Sequence, residues 1–405
     1  MKILFLLTQD LESPYGLGRC FPLAASLVRL GHEVNIAALS SHYDDLKQKQ
    51  FERDGVYVRY VGQMHVRKQG NLKSYYPVHQ LLGITVKATV ALARAALMIP
   101  ADIIHVGKPH PMNGLGGLLG HLLRGKILFV DCDDYEAGSG HFKGAWQKWG
   151  VAFFEKHIPR YAQTVTTNTT FLHEKLIEWG IAPKNIYYLP NGVDRKRFTM
   201  PDPSEVEALR STLGLQGRQV IAFIGSLSLA NHPVDLLLQA FTRLYARLPQ
   251  STLLLAGGGE DYDTLKALVN QLGLDEAVFF CGRIPPDLVP LYYRLADVSV
   301  DPVRDDDAAR GRSPLKLFES WACETPFVSA DVGDRRMLLG DPPAGLLARP
   351  GDPDSLANCI LNVLENRELA QQMASVGLIR IRIFDWDQLA TGIESVYLAA
   401  LGKQI

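Results

Sequence analysis

"VIAFIGSLSLANHPVDLLLQAFTRLYARLPQSTLLLAG", Val220 to Gly257, decides the architecture. Two short runs, VIAFIG and TLLLAG, consist almost wholly of Val, Ile, Leu, Phe and small residues. Such runs suit strands buried on both faces of a parallel sheet. Between them, PVDLLLQAFTRLYARL repeats apolar residues every three or four positions, the period of an amphipathic helix. Strand, helix, strand is the building unit of a doubly wound α/β sheet.

The same alternation extends in both directions. KILFLL, EVNIAAL, DIIHV, ILFVD and TVTTN read as strands before it; AVFFCG, VSVDPV and PFVSA follow it. Helical patterns such as FPLAASLVRLG and DTLKALVNQLG lie between them. The rhythm restarts once, at the Pro-, Gly- and charge-rich stretch Leu189 to Gln219. A linker with a lead-in helix is expected there, dividing two Rossmann-like domains near Arg195 to Arg218. Ligands in such sheets bind beyond the carboxyl ends of the strands, so a cleft between the halves is the expected site.

The bulk numbers exclude other classes. A chain of 405 residues, 47% hydrophobic and 21% charged, buries a sizeable core. A net charge of −1 argues against nucleic-acid binding driven by bulk electrostatics. The five cysteines, Cys20, Cys132, Cys281, Cys323 and Cys359, are scattered and form no Cys-x-x-Cys pair. Neither a zinc site nor a disulfide framework is indicated, and a cytoplasmic setting fits. MKILFLLTQD is too short for a membrane span and reads as a buried first strand. Leu81 to Pro100 is the most membrane-like segment, but Lys87 and Arg94 interrupt it. An amphipathic helix that covers the sheet or touches a bilayer edge is expected there. In WQKWGVAFFEKHIPR, core packing against the sheet is the favoured reading, and a helix resting on a membrane the other.

RGRSPLKLFESWACETPF, Arg310 to Phe327, carries the most chemistry. Ser313 is placed to cap a helix and Pro314 to be its first residue. The unpaired amides of Leu315 and Lys316 then form an anion-binding helix start, with Arg310, Arg312 and Lys316 beside it. Glu319, one turn beyond Lys316, suits the two hydroxyls of a ribose. Phosphate beside ribose is a nucleotide. A surface Lys–Glu pair among solvated arginines is the plainer alternative.

This stretch resembles the donor-binding helix of the retaining group 1, or GT4, glycosyltransferases of the GT-B fold. Further matches fall in the family's order. They are YGLGRCFPLAASLVRLGHEV (Tyr15 to Val34), LPNGVD (Leu189 to Asp194) and LLLAGGGEDYDTLKALVNQLGL (Leu253 to Leu274). VFFCGRIPPDLVPLYYRLADVSVDPV (Val278 to Val303) and FDWDQLATGIESVY (Phe384 to Tyr397) complete the set. The resemblance implies an α/β GT-B fold, two Rossmann-like domains facing across a cleft. It places an acceptor domain at 1–195, a donor domain at 196–375, and a C-terminal helix at 376–405 that returns to the first. It implies transfer of a hexose from a nucleotide diphosphate sugar to a glycan, lipid-linked or small-molecule hydroxyl acceptor. No metal or other cofactor is expected, and contact with a membrane would be peripheral, at its inner face.

The resemblance also implies site residues. Gly16 and Gly18 would let backbone amides approach the donor phosphates. Arg283 and Ile284 would meet the nucleobase through backbone groups. Gly225, Ser226 and Asn231 line the first loop of the second domain, with Arg312, Ser313, Pro314, Leu315, Lys316 and Glu319 opposite. Gly257, Gly258 and Gly259 read as a tight turn, and Asn191 and Gly192 as part of the hinge. The family's diphosphate-clamping Arg and Lys are replaced here by Ser226 and Asn231, and its first helix glutamate by Gly311. Arg310, Arg312 and Lys316 are the available substitutes. A buried charge-assisted contact contributes about 1.5–3 kcal/mol, so loss of two without replacement would cripple donor binding. That departure leaves a non-catalytic nucleotide-sugar binder open, and a GT-B sugar epimerase as a third reading.

In ILFVDCDDYEAG a strand runs into Asp131, Asp133 and Asp134. Asp131-Cys132-Asp133 matches a short metal-binding pattern of unrelated GT-A enzymes, whereas GT-B enzymes stabilise the leaving diphosphate with cations. Asp133 or Asp134 is the candidate, beside Lys316, to steady charge at the anomeric carbon or to orient the acceptor. A strand-end aspartate capping the next loop is the alternative. His105 and His110 flank another strand end and are candidate acceptor-side residues.

Overall fold

The computed structural model describes residues 1–139 and 144–403. The first half builds an eight-stranded sheet. Its spatial order is Ile186–Tyr188, Thr164–Thr167, Ile127–Cys132, Ile103–Gly107, Lys2–Leu6, Glu33–Ser40, Val56–Gln63 and Gln50–Arg53. All pairs are parallel except the last, where the edge strand turns back antiparallel. The second half builds a six-stranded, wholly parallel sheet. It runs Val278–Gly282, Ser251–Ala256, Gln219–Ile224, Val298–Val300, Phe327–Ala330 and Leu346–Ala348.

The stretch that predicts the architecture forms its unit as read. Gln219–Ile224 and Ser251–Ala256 pair in parallel, and the helix Val234–Arg247 crosses between them. Leu236, Leu237, Ala240, Phe241 and Leu244 bury its inner face. Helices on both faces leave the central strands no exposed side, hence their continuous apolar sequence.

Both sheets reverse their winding at a central pair of strands. In the first this pair is Lys2–Leu6 and Ile103–Gly107; in the second, Gln219–Ile224 and Val298–Val300. The loops leaving such pairs splay apart and open a crevice. Those loops carry Leu7 to Gly16 and Lys108 to His110 in one half, Gly225 to His232 and Asp301 to Arg304 in the other. The two crevices face each other.

The C-terminus joins the halves. Arg367–Arg380 stays on the second half, where a Cβ on Gly377 would meet the Trp321 ring at 2.4 Å. Phe384 packs on Phe318 and Trp321. The chain then crosses back beside Val193, which bridges to Asp385. Trp386, Ala390, Ile393 and Tyr397 of the helix Trp386–Ala400 enter the first-half core against Phe21–Arg29.

Two helices differ from expectation. In Ala145–His157, Trp146, Trp149 and Phe153 face outward, Trp149 at 70% exposure, and the buried side chain is Glu155. Core packing of these aromatics is therefore corrected. Glu155 turns inward because its carboxylate accepts hydrogen bonds from the amides of Glu136 and Ala137, at 2.9 and 3.1 Å. The helix Val78–Met98 buries Ala88, Leu92, Ala93, Ala95 and Ala96 but exposes Val78, Leu82, Val86 and Val90 along one stripe. It is long and apolar enough to cross a membrane by length and composition, yet one face packs on the protein.

Candidate active site

The second-half wall is built on the helix Leu315–Ala322. Pro314, rather than Ser313, occupies its N-cap position, so the helix starts one residue later than read. Pro314 cannot donate a backbone hydrogen bond and its φ is preset near the cap geometry. Ser313 Oγ is left buried and without a partner at the helix mouth. Lys316 Nζ lies 3.3 Å from Asp301 Oδ1, 3.4 Å from His232 Nδ1, and 4.9 Å from the Phe223 ring centroid. A Cβ on Gly225 would stand 2.8 Å from Lys316 Cε, so that glycine makes room for the lysine. Arg312 holds the Asn231 carbonyl at 2.8 Å and the Asn231 side-chain oxygen at 2.9 Å.

These cations share few acids. Burial lowers the Lys316 pKa, and Asp301 only partly offsets it. Burial likewise lowers His232, helped by the charges of Lys316 and Arg312, so it is neutral at pH 7. Burial would raise Asp301, but Lys316 and Arg335 overrule it and keep the carboxylate ionised. Arg335 reaches its other oxygen at 3.1 Å. Asp301 follows the strand Val298–Val300 directly and is the residue on which this wall is organised.

Glu319 is held from two sides. Arg197 Nη2 lies 2.9 Å from Oε1, and the Tyr293 hydroxyl donates to Oε2 at 3.0 Å. Arg197 comes from the linker and also donates to the Leu17 carbonyl at 3.2 Å, tying that linker to the glycine loop of the first half. Its Nε is buried and unpartnered. Neither Arg197 nor Tyr293 is visible as a site residue in sequence; the run DRKRF gives only a charged linker.

The first-half wall is acidic. Lys108, at φ +55° beyond the strand Ile103–Gly107, gathers Asp134 at 2.5 Å, Glu136 at 2.7 Å and Asp133 at 3.7 Å. Burial lowers the Lys108 pKa, but the three acids win and raise it well above the usual value. Burial pushes Glu136 up, yet Lys108 and His110 hold it down at about 2. Asp133 goes the other way: burial raises its pKa, Lys108 opposes, and Asp134 and Asp131 add to the rise. One oxygen of Asp133 is buried with no hydrogen-bond partner. Arg312 reaches across from the opposite wall to within 3.6 Å of Asp134.

Asp131 does not belong to this wall. Arg19 clasps it with two nitrogens at 2.7 and 2.8 Å, and Tyr15 and Thr166 hydroxyls donate at 2.9 and 2.6 Å. Burial pushes its carboxyl up, but Arg19 brings it down to about 2. With Asp131 so engaged, Asp131 and Asp133 do not converge as a metal-binding pair. Arg19 also holds the Leu189 carbonyl and Asn191 Oδ1, at 3.1 and 2.9 Å. Asn191 in turn donates to the Ser313 carbonyl at 3.1 Å, so the Leu189 to Asp194 segment reaches the mouth of the helix Leu315–Ala322.

Several expected residues are placed otherwise. His105 points into the core, stacked on Phe5 and hydrogen-bonded to Tyr397. Burial lowers its pKa to about 4, and it has no acceptor-side position. His110 does face the acids: Nδ1 is 3.2 Å from Thr8 Oγ1, and its unpartnered Nε2 is 4.0 Å from Glu136. Arg310 leaves the cleft and pairs with Asp305 on the surface, so only Arg312 and Lys316 remain of the three substitutes. The Gly16 amide donates to Ser13 Oγ and is not open to a phosphate. Gly18 serves apposition of the walls, since a Cβ there would meet Leu315 Cδ1 at 2.7 Å. Ser226 lies in the loop after Gly225, half-exposed, and Ile284 packs partly into the second-half core. Gly257 makes the tight turn expected, at φ +148° against the Gly225 carbonyl. The Arg283 amide is engaged by Asn71 of the first half at 2.9 Å.

The comparisons bear on the family and the fold. A family model described as a glycosyl transferase 4-like domain matches residues 19–192, and one described as glycosyl transferases group 1 matches 218–366. This chain belongs to the group 1 glycosyltransferases. Among its relatives in the family is the D-inositol 3-phosphate glycosyltransferase of Geodermatophilus obscurus. The two are 30% identical over 258 residues, 61% of this chain and 54% of the relative. The GDP-mannose-dependent alpha-(1-6)-phosphatidylinositol monomannoside mannosyltransferase of Mycolicibacterium smegmatis is 30% identical over 192 residues, 47% and 50% of the two chains. The chain thus spans about half the length of the curated relatives it matches. Sucrose-phosphate synthase of Thermosynechococcus elongatus superposes with a TM-score of 0.77 at 20% identity over 99% of both chains. Anabaena HepE in complex with UDP-glucose gives 0.72 at 20% identity, covering 98% of this chain and 100% of that one. These likenesses establish the GT-B fold of this group 1 glycosyltransferase.

Proposed function

We propose that this protein is a retaining, metal-independent glycosyltransferase that moves a hexose from a nucleoside diphosphate sugar to a hydroxyl acceptor. The observation that carries the reading is the convergence of Arg312, Lys316 and Ser313 Oγ on one helix start. That cluster faces the acids Asp133 and Asp134 across the cleft. A helix N-terminus with two cations is suited to a diphosphate. Arg312 and Lys316 take the place of the absent clamp in the Gly225 to Asn231 loop. Glu319 accepts the ribose hydroxyls when Arg197 swings off it.

The chemistry follows from charge. The bond between the anomeric carbon and the diphosphate breaks, and the departing oxygens gain negative charge beside Lys316, Arg312 and the helix amides. Groups that meet that charge more strongly in the transition state than in the bound donor accelerate the step. Asp133 and Asp134 face the positive anomeric carbon or the incoming hydroxyl. The acceptor oxygen bonds that carbon from the face the diphosphate leaves, and its proton passes to the departing phosphate oxygen. Retention of configuration is the consequence.

The acceptor enters from the first half, where His110 and Glu136 line the approach. A lipid-linked acceptor is one class that fits. The exposed stripe Val78, Leu82, Val86 and Val90, and the exposed Trp146 and Trp149 of the separate helix Ala145–His157, suit the inner face of a cytoplasmic membrane. The mycobacterial relative named for a phosphatidylinositol mannoside supports that class. A mass-spectrometric screen of UDP-, GDP- and ADP-sugars, with and without acceptors, tests the reading. Sugar transfer or slow donor hydrolysis is expected; no turnover of any donor would contradict it.

A further inference from the structure

A small hairpin, Val66–Gln69 paired with Leu72–Tyr75, leaves the first half and ends at Gly70 and Asn71. It belongs to neither large sheet. Its tip lands on the second half. The Asn71 carbonyl accepts from the Gly259 amide at 2.9 Å, and Asn71 Oδ1 accepts from the Arg283 amide at 2.9 Å. The Gly70 carbonyl accepts from Arg283 Nε at 2.8 Å. The fit is close: a Cβ on Gly258 would stand 2.4 Å from the Asn71 carbonyl, and one on Gly282 2.9 Å from Asn71 Nδ2. At its root the hairpin is fixed by Lys68, 2.9 Å from the buried carboxylate of Asp10.

Gly259 and Arg283 follow two neighbouring strands, Ser251–Ala256 and Val278–Gly282, at the carboxyl edge that lines the cleft. Backbone donors there are the groups a planar heterocycle uses when it lies in a crevice of this kind. An asparagine side chain carries the same amide pattern, a carbonyl beside an N–H, as the edge of a uracil or guanine ring. We propose that the hairpin tip is a built-in competitor of the nucleobase: Asn71 occupies the base subsite, and donor binding displaces it. This inference rests on the nucleotide-binding reading above.

The arrangement couples donor entry to motion between the halves. While Asn71 is seated, the tip ties the two walls together at the base end of the cleft. When the base takes the Arg283 amide, that tie is released. A ligand must offset the lost tip contacts before its own count, which reduces its apparent affinity by the fraction of molecules whose tip is unseated. Removal of the competing side chain therefore strengthens nucleotide binding, the reverse of what loss of a binding residue does.

The test is calorimetric titration of the full chain with the nucleoside diphosphate that the wild type binds. Asn71→Ala removes one of the three tip contacts, and tightening by about 3- to 10-fold is expected. A second variant, with Arg67 to Lys73 replaced by two glycines, removes all three and should bind at least as tightly as Asn71→Ala. Hydrogen exchange at the Arg283 amide should be slow in the free wild type and fast in both free variants, and at the Gly259 amide fast only in the variant that lacks the tip. Equal or weaker binding by both variants, with the wild type binding normally, would overturn the competitor and leave the functional reading intact. Absence of binding by all three proteins would overturn both.

Discussion

Asp131 and Asp301 make an instructive pair. Each is a buried carboxylate at the carboxyl end of a strand, one in each half, and each is held ionised by cations. Asp131 is enclosed: Arg19, Tyr15 and Thr166 take its oxygens, and Arg19 continues into Leu189 and Asn191. Asp301 is shared by Lys316, Arg335 and His232, and Ser313 Oγ at the mouth of the Lys316 helix is buried without a partner. A closed network of this sort holds a fold together. An open one, with unsatisfied donors directed into a cleft, is suited to a ligand.

The largest expected effect breaks the closed side. Arg19→Ala strands a buried carboxylate beneath the hinge, and a loss of about 3–5 kcal/mol in stability is expected, read by denaturant unfolding. A variant of near wild-type stability would show that this pair does not hold the two halves.

The next concerns His105, which the same core encloses. Its folded pKa, about 4, lies below the ordinary 6.5 because burial opposes its charge. Its contribution is complete above pH 6.5 and is lost as pH falls through 4. That shift is worth about 3 kcal/mol at full effect. His110 and His232 shift in the same direction. Thermal melts from pH 7 to 4 should therefore fall less steeply for His105→Phe than for the wild type. Parallel curves would remove His105 from the account.

The smallest effect sharpens the open side. Arg310 lies close in sequence to Arg312, but it binds Asp305 in solvent. Arg310→Ala should leave the donor KM within about twofold. A large rise would return Arg310 to the clamp and weaken the distinction between the two networks.

The same contrast explains what the sequence made legible. Val220 to Gly257 shows its strands and helix because full burial on both faces demands uninterrupted apolar runs. The charged edge strand Gln50–Arg53 and the hairpin at Asn71 carry no such demand and leave no such signature. Lys316 and Glu319 are legible because helix spacing fixes them on one element, and Arg312 because it stands just ahead of that helix. Arg197, Tyr293, Asp301 and Lys108 come from four separate segments, and only the assembled fold brings them to the walls. His105 lies in the core rather than at the cleft for a related reason. Register sets it level with Phe5 and Phe129, two residues inside the strand end, where its side chain meets the returning helix.

Isothermal titration of UDP, GDP and ADP into the wild type and Lys316→Ala tests the central claim most directly. The account predicts one-to-one binding of at least one nucleotide to the wild type, weakened about 10-fold or more in the variant. No binding of any of the three, or equal binding by both proteins, would contradict it.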